Sequence, residues 1–386
     1  MIENGFSYVA VLVCLAAAMT ALQQFTHQRK ILTFVPAIVL VYVVAAVMNT
    51  AGLFANNTEI SSAYSSVRGA LLPAMLVLML LKCDVRSIIK LGPRMLLAFS
   101  CAVVSIFVAF VVVYVALQGF FIDGTWRAFG ALAGSWTGGS ANMVALQDIL
   151  QVPENLFGYI LMMDTINYAV WVMFMFWLIP FAPKFNKWTK APDVLGDSAA
   201  KLELEEEKEK SITFHNILYL LAIGLSVSAV CLWLGRILPV VGDVINGMTW
   251  TIMIASFIGL ILAVTPVSRI SGSMEISNVM LYVIIALIAS RSDFSSLTQA
   301  PIYLVAGFLI LLIHLIVMVL LGKLFRYDLF TLGVASLANI GGMASAPMLA
   351  ASYHKSLIPI GILMALMGSF LGTYFGLLIG QLLSMI

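Results

Sequence analysis

The chain has 386 residues, of which 62% are hydrophobic and 10% are charged, and its mean hydropathy is +1.06. Soluble domains carry about 25% charged residues, so this composition excludes a water-soluble globular protein. The formal net charge is only +2. No basic stripe or nucleic-acid-binding motif accompanies that charge, which excludes nucleic acid as a partner. The four cysteines lack metal-site or redox spacing, so we expect no transition-metal site.

Hydrophobic runs follow one another along the chain, and many reach the ~20 residues that a spanning helix needs. We predict helices in the runs 6–25, 31–54, 67–82, 95–118, 127–150, 156–181, 213–236, 248–265, 277–290, 301–322, 329–352 and 357–385. The first run is not preceded by the basic segment of a cleaved signal peptide, so we expect it to remain in the protein. The pattern predicts an all-α polytopic membrane protein.

One long polar segment divides the chain near its middle. Residues 182–212 hold six lysines and seven acidic residues. We therefore predict a first repeat over 1–181, a charged cytoplasmic linker over 182–212 and a second repeat over 213–386.

The two halves also share a local pattern. A turn at Asp84 precedes Gly92–Pro93 in the first half, and a turn at Asp293 precedes Ala300–Pro301 in the second. Internal repeats of this length are typical of secondary transporters.

Two short polar stretches interrupt the hydrophobic runs at corresponding places in the halves. They are Thr137–Asn142 (TGGSAN) and Asn339–Pro347 (NIGGMASAP), and each contains a Gly-Gly pair. Glycine is costly in a helix interior. Irregular backbone at membrane depth persists only within protein or beside a water-filled cavity. Breaks at matching positions of two repeats point to the binding site of a transporter.

The predicted substrate site consists of polar and small residues in these two stretches. N–H groups at the starts of half-helices would bind an anion, and freed carbonyl groups would bind a cation. The predicted substrate-binding residues are Thr137, Gly138, Gly139, Ser140, Asn142, Asn339, Gly341, Gly342 and Ser345. The alternative is that the small residues only allow close helix packing. Recurrence of the break in both halves favours binding.

A second candidate group includes Asp164, the one carboxylate well inside a predicted spanning helix. An ionisable group there costs at least ~2.5 kcal/mol and therefore points to function. Asn167 follows on the same helix face, and the corresponding helix of the second half offers Ser369 and Thr373. These four residues are predicted to couple to Na⁺ or H⁺. The alternative for Asp164 is a structural hydrogen bond between helices.

Lysine and arginine positions predict the topology. If each Gly-Gly segment is a re-entrant hairpin, each half has five crossings, the halves are inverted, and sixteen of the 20 Lys and Arg residues lie inside. If both segments cross fully, no orientation keeps the main basic groups inside. The count therefore favours hairpins, with both termini on the extracytoplasmic side.

Two further residues stand out near these segments. His314 is alone on an apolar helix and is expected to be a packing residue. Trp136 adjoins the first Gly-Gly break, where substrate contact and packing are equally compatible with the sequence.

The Gly-Gly motifs, the duplicated halves and the charged linker resemble the domain-of-unknown-function-819 family of bacterial inner-membrane proteins over essentially the whole chain. More distantly, the chain is similar to the sodium/glutamate and sodium/citrate symporters, whose Gly-Gly motifs lie in re-entrant hairpins of inverted halves. The helix with Asp164 is similar to that of the sodium/proton antiporter–bile-acid symporter superfamily. The resemblance implies a homodimer with a scaffold domain, a moving core and an elevator-like motion.

The chain also departs from these relatives. It has a single acidic residue, Asp164, where the antiporters have an adjacent acidic pair or Asn-Asp, and it lacks the longer Gly-Gly-His signature of glutamate carriers. The identity of the substrate therefore does not transfer.

The leading hypothesis is a secondary active transporter that moves a small organic anion, such as a carboxylate, amino acid or short peptide, with Na⁺ or H⁺. The chain contains no nucleotide-binding Gly-x-x-x-x-Gly-Lys-Ser/Thr motif, and we expect neither an enzyme nor an organic cofactor. Its expected partners are the organic anion, membrane lipid and a second copy of the chain. The alternatives are a monovalent cation/proton antiporter, an intramembrane enzyme and a non-transporting scaffold.

Overall fold

A computed structural model of the protein describes residues 1–28, 37–192, 211–240, 246–292, 300–354 and 357–386. Within these ranges all secondary-structure elements longer than an isolated β-bridge are helices. The predicted all-α class is therefore confirmed. The predicted turn at Asp293 and residues 193–210 of the predicted linker lie outside the described residues.

In the first half, most helices of the described ranges overlap the predicted hydrophobic runs, but Val85–Ile89 lies between two runs and Ala182–Thr189 lies in the predicted linker. The helices are α1 (Gly5–Gln28), α2 (Ala37–Thr50), α3 (Thr58–Leu80), α4 (Val85–Ile89), α5 (Gly92–Leu117), α6 (Thr125–Gly138), α7 (Ser140–Ile149), α8 (Glu154–Leu178) and α9 (Ala182–Thr189). The predicted run 127–150 is thus divided into two helices.

The described part of the second half repeats this pattern. Its helices are α10 (Phe214–Ile237), α11 (Gly247–Ala263), α12 (Ser273–Ala289), α13 (Ala300–Phe325), α14 (Leu329–Asn339), α15 (Ala346–Tyr353) and α16 (Ile358–Leu383). The predicted run 329–352 is likewise divided.

Seven helices in the described ranges are long and apolar enough to cross a membrane. They are α1, α3, α5, α8, α10, α13 and α16, and shorter apolar helices are α2, α11, α12 and α14. The protein is therefore a polytopic membrane protein, as the composition predicted.

Helix α3 begins nine residues before the predicted run at 67. Asn57 caps it by accepting a hydrogen bond from the backbone N–H of Ile60 at 2.8 Å, and Glu59 lies in its first turn. An acidic residue stabilises a helix N-terminus. The first turns of this helix are polar, so the hydrophobic run predicted a start that is too late.

The chain forms two compact units, each built from separate stretches of sequence. Unit 1 consists of Met1–Leu81, Gln147–Thr165 and Ile212–Tyr303. Unit 2 consists of Lys82–Leu146, Ile166–Ser211 and Leu304–Ile386. Each unit therefore takes segments from both halves of the sequence.

Unit 1 is organised around α3. Cys231 of α10 and Ala255 of α11 form a fully buried cluster with Val77 of α3. Ser228 donates a hydrogen bond to the carbonyl of Ala70 at 2.7 Å. These contacts join α10 and α11 to α3.

Candidate functional site

The first Gly-Gly break is a reversal of the chain. Helix α6 ends at Gly138, Gly139 has a φ of +92°, and α7 begins at Ser140. Such a φ strains any residue with a Cβ. Leu146 Cδ1 lies where a Cβ on Gly134 would be, although these residues would be about 18 Å apart in a straight helix. Helices α6 and α7 therefore form a helical hairpin, called hairpin 1 (residues 125–149).

The second break has the same form with different details. Gly341 and Gly342 have φ values of +120° and +55°, and a short 3₁₀ turn precedes α15. The rings of Phe330 and Tyr353, at the outer ends of α14 and α15, have centroids 5.2 Å apart. Helices α14 and α15 therefore also form a hairpin, called hairpin 2 (residues 329–353).

The tips of both hairpins meet the same residue of α16. A Cβ added to Gly368 would collide with the carbonyl oxygen of Thr137 and would lie 3.0 Å from that of Ala338. These two carbonyls belong to the last turns of α6 and α14. The structure thus brings together the two polar stretches that the sequence singled out, at a position inside a spanning helix.

Two rows of glycine pack backbone against backbone where α6 meets α16. A Cβ on Gly372 would lie 2.8 Å from the carbonyl oxygen of Gly134. The rows, each with a spacing of four residues, are Gly130, Gly134 and Gly138 on α6 and Gly368, Gly372 and Gly376 on α16. Small residues at this spacing let helices approach closely in a membrane. This contact gives Gly138 a packing role, which the sequence had offered as the alternative to substrate binding.

Asn142 joins hairpin 1 to α16, and its side chain is 1% exposed. Its Nδ2 donates hydrogen bonds to the carbonyls of Gly138 at 2.8 Å and Ser369 at 3.2 Å. Its Oδ1 accepts a bond from the Thr373 hydroxyl at 2.6 Å. Both ends of the amide are therefore used, and the structure places Ser369 and Thr373 beside Asn142.

The other predicted residues of hairpin 1 lie around this contact. Thr137 is buried, and its hydroxyl donates to the carbonyl of Ala133 at 2.9 Å. Gly139 and Ser140 are half-buried. Trp136 is buried and packs against Phe110, with ring centroids 5.7 Å apart.

The side chain of Asn339, at the tip of hairpin 2, is hydrogen-bonded differently from that of Asn142. Its side chain is 0% exposed, and its Nδ2 donates to the carbonyl of Ala335 at 2.8 Å. That bond fixes the amide, because a flip would place two oxygens together. Among the described residues its Oδ1 has no hydrogen-bond partner. An unsatisfied buried acceptor costs about 1–3 kcal/mol, so this oxygen is suited to a ligand.

The remaining residues of the second tip surround Asn339. Ser345 is buried, and its hydroxyl donates weakly to the carbonyl of Leu337 at 3.4 Å. Gly341 is half-buried, and the ring of Tyr168 lies against it. The sequence did not single out Tyr168, because one aromatic residue in a spanning helix carries no distinctive signal.

A buried hydrogen-bonded chain supports hairpin 2 one turn before Asn339. The Ser336 hydroxyl accepts from Trp171 Nε1 at 3.0 Å and lies 2.9 Å from His314 Nε2. His314 Nδ1 lies 2.6 Å from the Ser105 hydroxyl.

A neutral imidazole at His314 is compatible with every hydroxyl in this series of hydrogen bonds. Ser105 donates its own proton to the carbonyl of Ala102 at 2.6 Å, so it accepts from His314 Nδ1–H. Ser336 then donates to Nε2, and a neutral imidazole satisfies every partner. His314 is thus a packing residue with both nitrogens used.

Asp164 and Asn167 both lie on α8, where the chain passes from unit 1 to unit 2 after Thr165. Asp164 is half-buried. Asn167 is buried, and its Nδ2 donates to the carbonyl of Leu304 at 3.2 Å. Its Oδ1 has no hydrogen-bond partner among the described residues and lies against Gly307.

Comparison with known proteins identifies a family and a curated relative. A profile of the family described as "Protein of unknown function (DUF819)" matches residues 10–386. The chain is also 25% identical over 343 residues to the "Uncharacterized membrane protein YjcL" of Bacillus subtilis (strain 168), a match that covers 82% of this chain and 83% of that protein. The name of the Bacillus subtilis relative agrees with the membrane architecture, and neither description names a substrate.

Proposed function

The chain belongs to the DUF819 family, and from this premise we propose that it is a secondary active transporter for a small organic anion, driven by Na⁺ or H⁺. The observation that carries the proposal is the convergence of both hairpin tips on Gly368 of α16. A packed structural protein needs no paired breaks inside spanning helices. A carrier uses such breaks to present backbone and side-chain groups to a solute.

The organisation of the chain supports an inverted-repeat carrier with an elevator-like motion. Five helices of each half would cross the membrane, namely α1, α2, α3, α5 and α8 and then α10, α11, α12, α13 and α16. Each hairpin would enter and leave on one side. In this proposal unit 1 is the scaffold and unit 2 is the moving core. A homodimer in a bacterial inner membrane, with extracytoplasmic termini, completes it.

The chemistry of the two tips supports binding of the cation at one tip and of the anion at the other. The Oδ1 of Asn339, which has no hydrogen-bond partner among the described residues, is an acceptor and suits a cation or a solute donor group. The start of α7 at Ser140 presents backbone N–H groups with partial positive charge to an anion. Asp164 and Asn167 remain the proposed coupling residues on α8. Ser369 and Thr373 would contribute by holding Asn142 in place.

A monovalent cation/proton antiporter is the second candidate. It is favoured by two atoms that lack a hydrogen-bond partner within the described ranges, Asn339 Oδ1 and Asn167 Oδ1. Both are acceptors that suit a cation, and neither can donate to an anion. In this alternative the cation would exchange with a proton on Asp164, and no organic solute would bind.

Thermal unfolding of the purified protein separates these functions. Organic acids, amino acids and dipeptides would each be added with NaCl or KCl, because a ligand of the folded state raises stability by RT ln(1 + [L]/Kd). A shift that requires both Na⁺ and one solute supports symport and identifies the solute class. A shift with Na⁺ or Li⁺ that ignores every solute supports the antiporter.

Uptake in proteoliposomes tests the coupling role of Asp164. Asp164→Asn retains the size and hydrogen-bonding capacity of the side chain, so we expect a folded protein whose coupled uptake is abolished. Undiminished uptake would remove Asp164 from the mechanism.

A further inference from the structure

Unit 2 contains an apolar cavity that the proposed transport site does not use. It has a volume of about 240 Å³ and lies among α8, α9, α13 and α14. Its walls include Phe174, Phe181, Phe185, Leu315 and Met318. The cavity is therefore shaped by hydrocarbon side chains of two long apolar helices and one arm of hairpin 2.

The polar groups at this cavity already have partners. Trp171, His314 and Ser336 line it, and they bond to one another and to Ser105 as described above. A polar solute would gain no free donor or acceptor from them. The chemistry of the cavity therefore selects a hydrocarbon occupant.

Cationic side chains lie on the short helix α9, which contributes Phe185 to the cavity lining. Phe181 and Phe185 face the cavity, while Lys184, Lys187 and Lys190, beside them in sequence, are exposed. Lys323 at the end of α13 lies over the Trp188 ring at 4.6 Å and donates to the Trp188 carbonyl.

Among the described residues, the acidic residue that precedes α14 is Asp328, which is engaged with its own helix. Asp328 is buried and accepts hydrogen bonds from the N–H and hydroxyl of Thr331 at 2.8 and 2.7 Å. Among the described residues, α9 thus contributes an apolar side chain to the cavity and exposed lysines beside it.

We propose that unit 2 binds an anionic phospholipid, with an acyl chain in this cavity and the phosphate on the lysines of α9. Lysine and arginine clusters beside spanning helices attract anionic headgroups. Aromatic residues such as Trp188 suit the membrane interface. The occupied cavity would buttress Leu332, Gly333 and Ser336 of α14, so the lipid would stabilise the arm that leads to the tip of hairpin 2.

Native mass spectrometry and thermal unfolding of the detergent-purified full chain test the proposal with phosphatidylglycerol and phosphatidylcholine of the same acyl chains. We expect the wild type to retain phosphatidylglycerol and to melt at a higher temperature with it than with phosphatidylcholine. The double variant Lys184→Gln/Lys187→Gln should bind phosphatidylglycerol about tenfold or more weakly, because each lysine near a headgroup contributes to attraction. Equal retention of both lipids by the wild type would overturn the proposal.

Two matched controls make the test specific. Arg86 and Lys90 are exposed basic residues elsewhere in unit 2, so Arg86→Gln/Lys90→Gln should bind phosphatidylglycerol like the wild type. Leu315→Trp would fill the cavity and remove the lipid, whereas Leu312→Trp, on the same helix but outside the cavity lining, should not.

Three results would contradict the assignment. An equal loss in the Arg86/Lys90 control would show nonspecific charge attraction, and unchanged binding by Leu315→Trp would remove the cavity from the site. Dissociation of a dimer by Leu315→Trp, with lipid binding unchanged, would show that a second copy covers this face.

Discussion

The two hairpins contain similar motifs, yet their tips are in opposite hydrogen-bonding states. In hairpin 1, Asn142 uses both ends of its amide to bind α16. In hairpin 2, Asn339 leaves its Oδ1 without a hydrogen-bond partner among the described residues. In the proposed transporter the first break would therefore serve mainly as a structural contact, and the second would be the ligand-binding tip.

The outer ends of the hairpins differ as well. The chain enters unit 1 after Leu146, so the last residues of α7 belong to that unit. There Asp148 forms an ion pair with Arg68 at 3.0 Å. Hairpin 2 lies wholly within unit 2. Hairpin 1 thus crosses the boundary between the two units in the sequence, and hairpin 2 does not.

The largest expected loss of stability comes from substitution of Asn142, with substitution of Asn339 as the comparison. Asn142→Ala removes three hydrogen bonds and should lower the free energy of unfolding by about 3 kcal/mol, since each contributes ~1 kcal/mol. Asn339→Ala is the matched control and should change stability by less than about 1 kcal/mol, because it also removes an unsatisfied acceptor. Thermal unfolding in detergent measures both. An equal loss in the two variants would contradict the distinction between the tips.

A smaller loss is expected where hairpin 1 packs on α16. Gly372→Ala places a Cβ 2.8 Å from the Gly134 carbonyl oxygen and from Asn142 Nδ2, so we expect a destabilisation of about 2 kcal/mol from overpacking. Gly69→Ala on α3 is the control, since its Cβ would meet no atom within 4 Å. There the better helix propensity of Ala should leave stability equal or raise it. The unfolding temperatures of the two variants test this expectation. An unchanged unfolding temperature for Gly372→Ala would refute the close contact between α6 and α16.

The smallest expected effect concerns a single hydroxyl. Thr373→Val removes the bond to Asn142 Oδ1 and should cost about 1 kcal/mol. If Thr373 acts through Asn142, the substitution should have no further effect in the Asn142→Ala background, which a double-mutant cycle measures. Additive losses would indicate that Thr373 has another partner, such as a cation.

Much of this fold could be predicted from sequence, because hydropathy and glycine breaks report directly on membrane helices. The runs 127–150 and 329–352 are interrupted at the Gly-Gly pairs, as glycine's conformational freedom predicts. The polar start of α3 was missed because its cap residue Asn57 acts through hydrogen bonds rather than hydropathy.

The site was only partly predictable, since its contacts join residues far apart in the chain. Ser369 and Thr373 were assigned with Asp164 from their place in the repeat. In the structure the Thr373 hydroxyl and the Ser369 backbone carbonyl bond to Asn142, more than 220 residues away, while the Ser369 hydroxyl donates to the carbonyl of Ala365. The glycine row of α16 has the spacing of a close-packing motif. That spacing could have indicated the helix contact, although it could not have identified α6 as the partner.

The central claim is that the tip of hairpin 2 binds the coupling ion or the transported solute. The most direct test is the Na⁺-dependent shift in unfolding temperature of three proteins. The wild type, Asn339→Ala and Thr373→Val would be unfolded in NaCl and in KCl, with the solute that stabilises the wild type. We predict that Asn339→Ala keeps its basal unfolding temperature and loses the shift, whereas Thr373→Val unfolds earlier and keeps it. A full shift in Asn339→Ala would contradict the account.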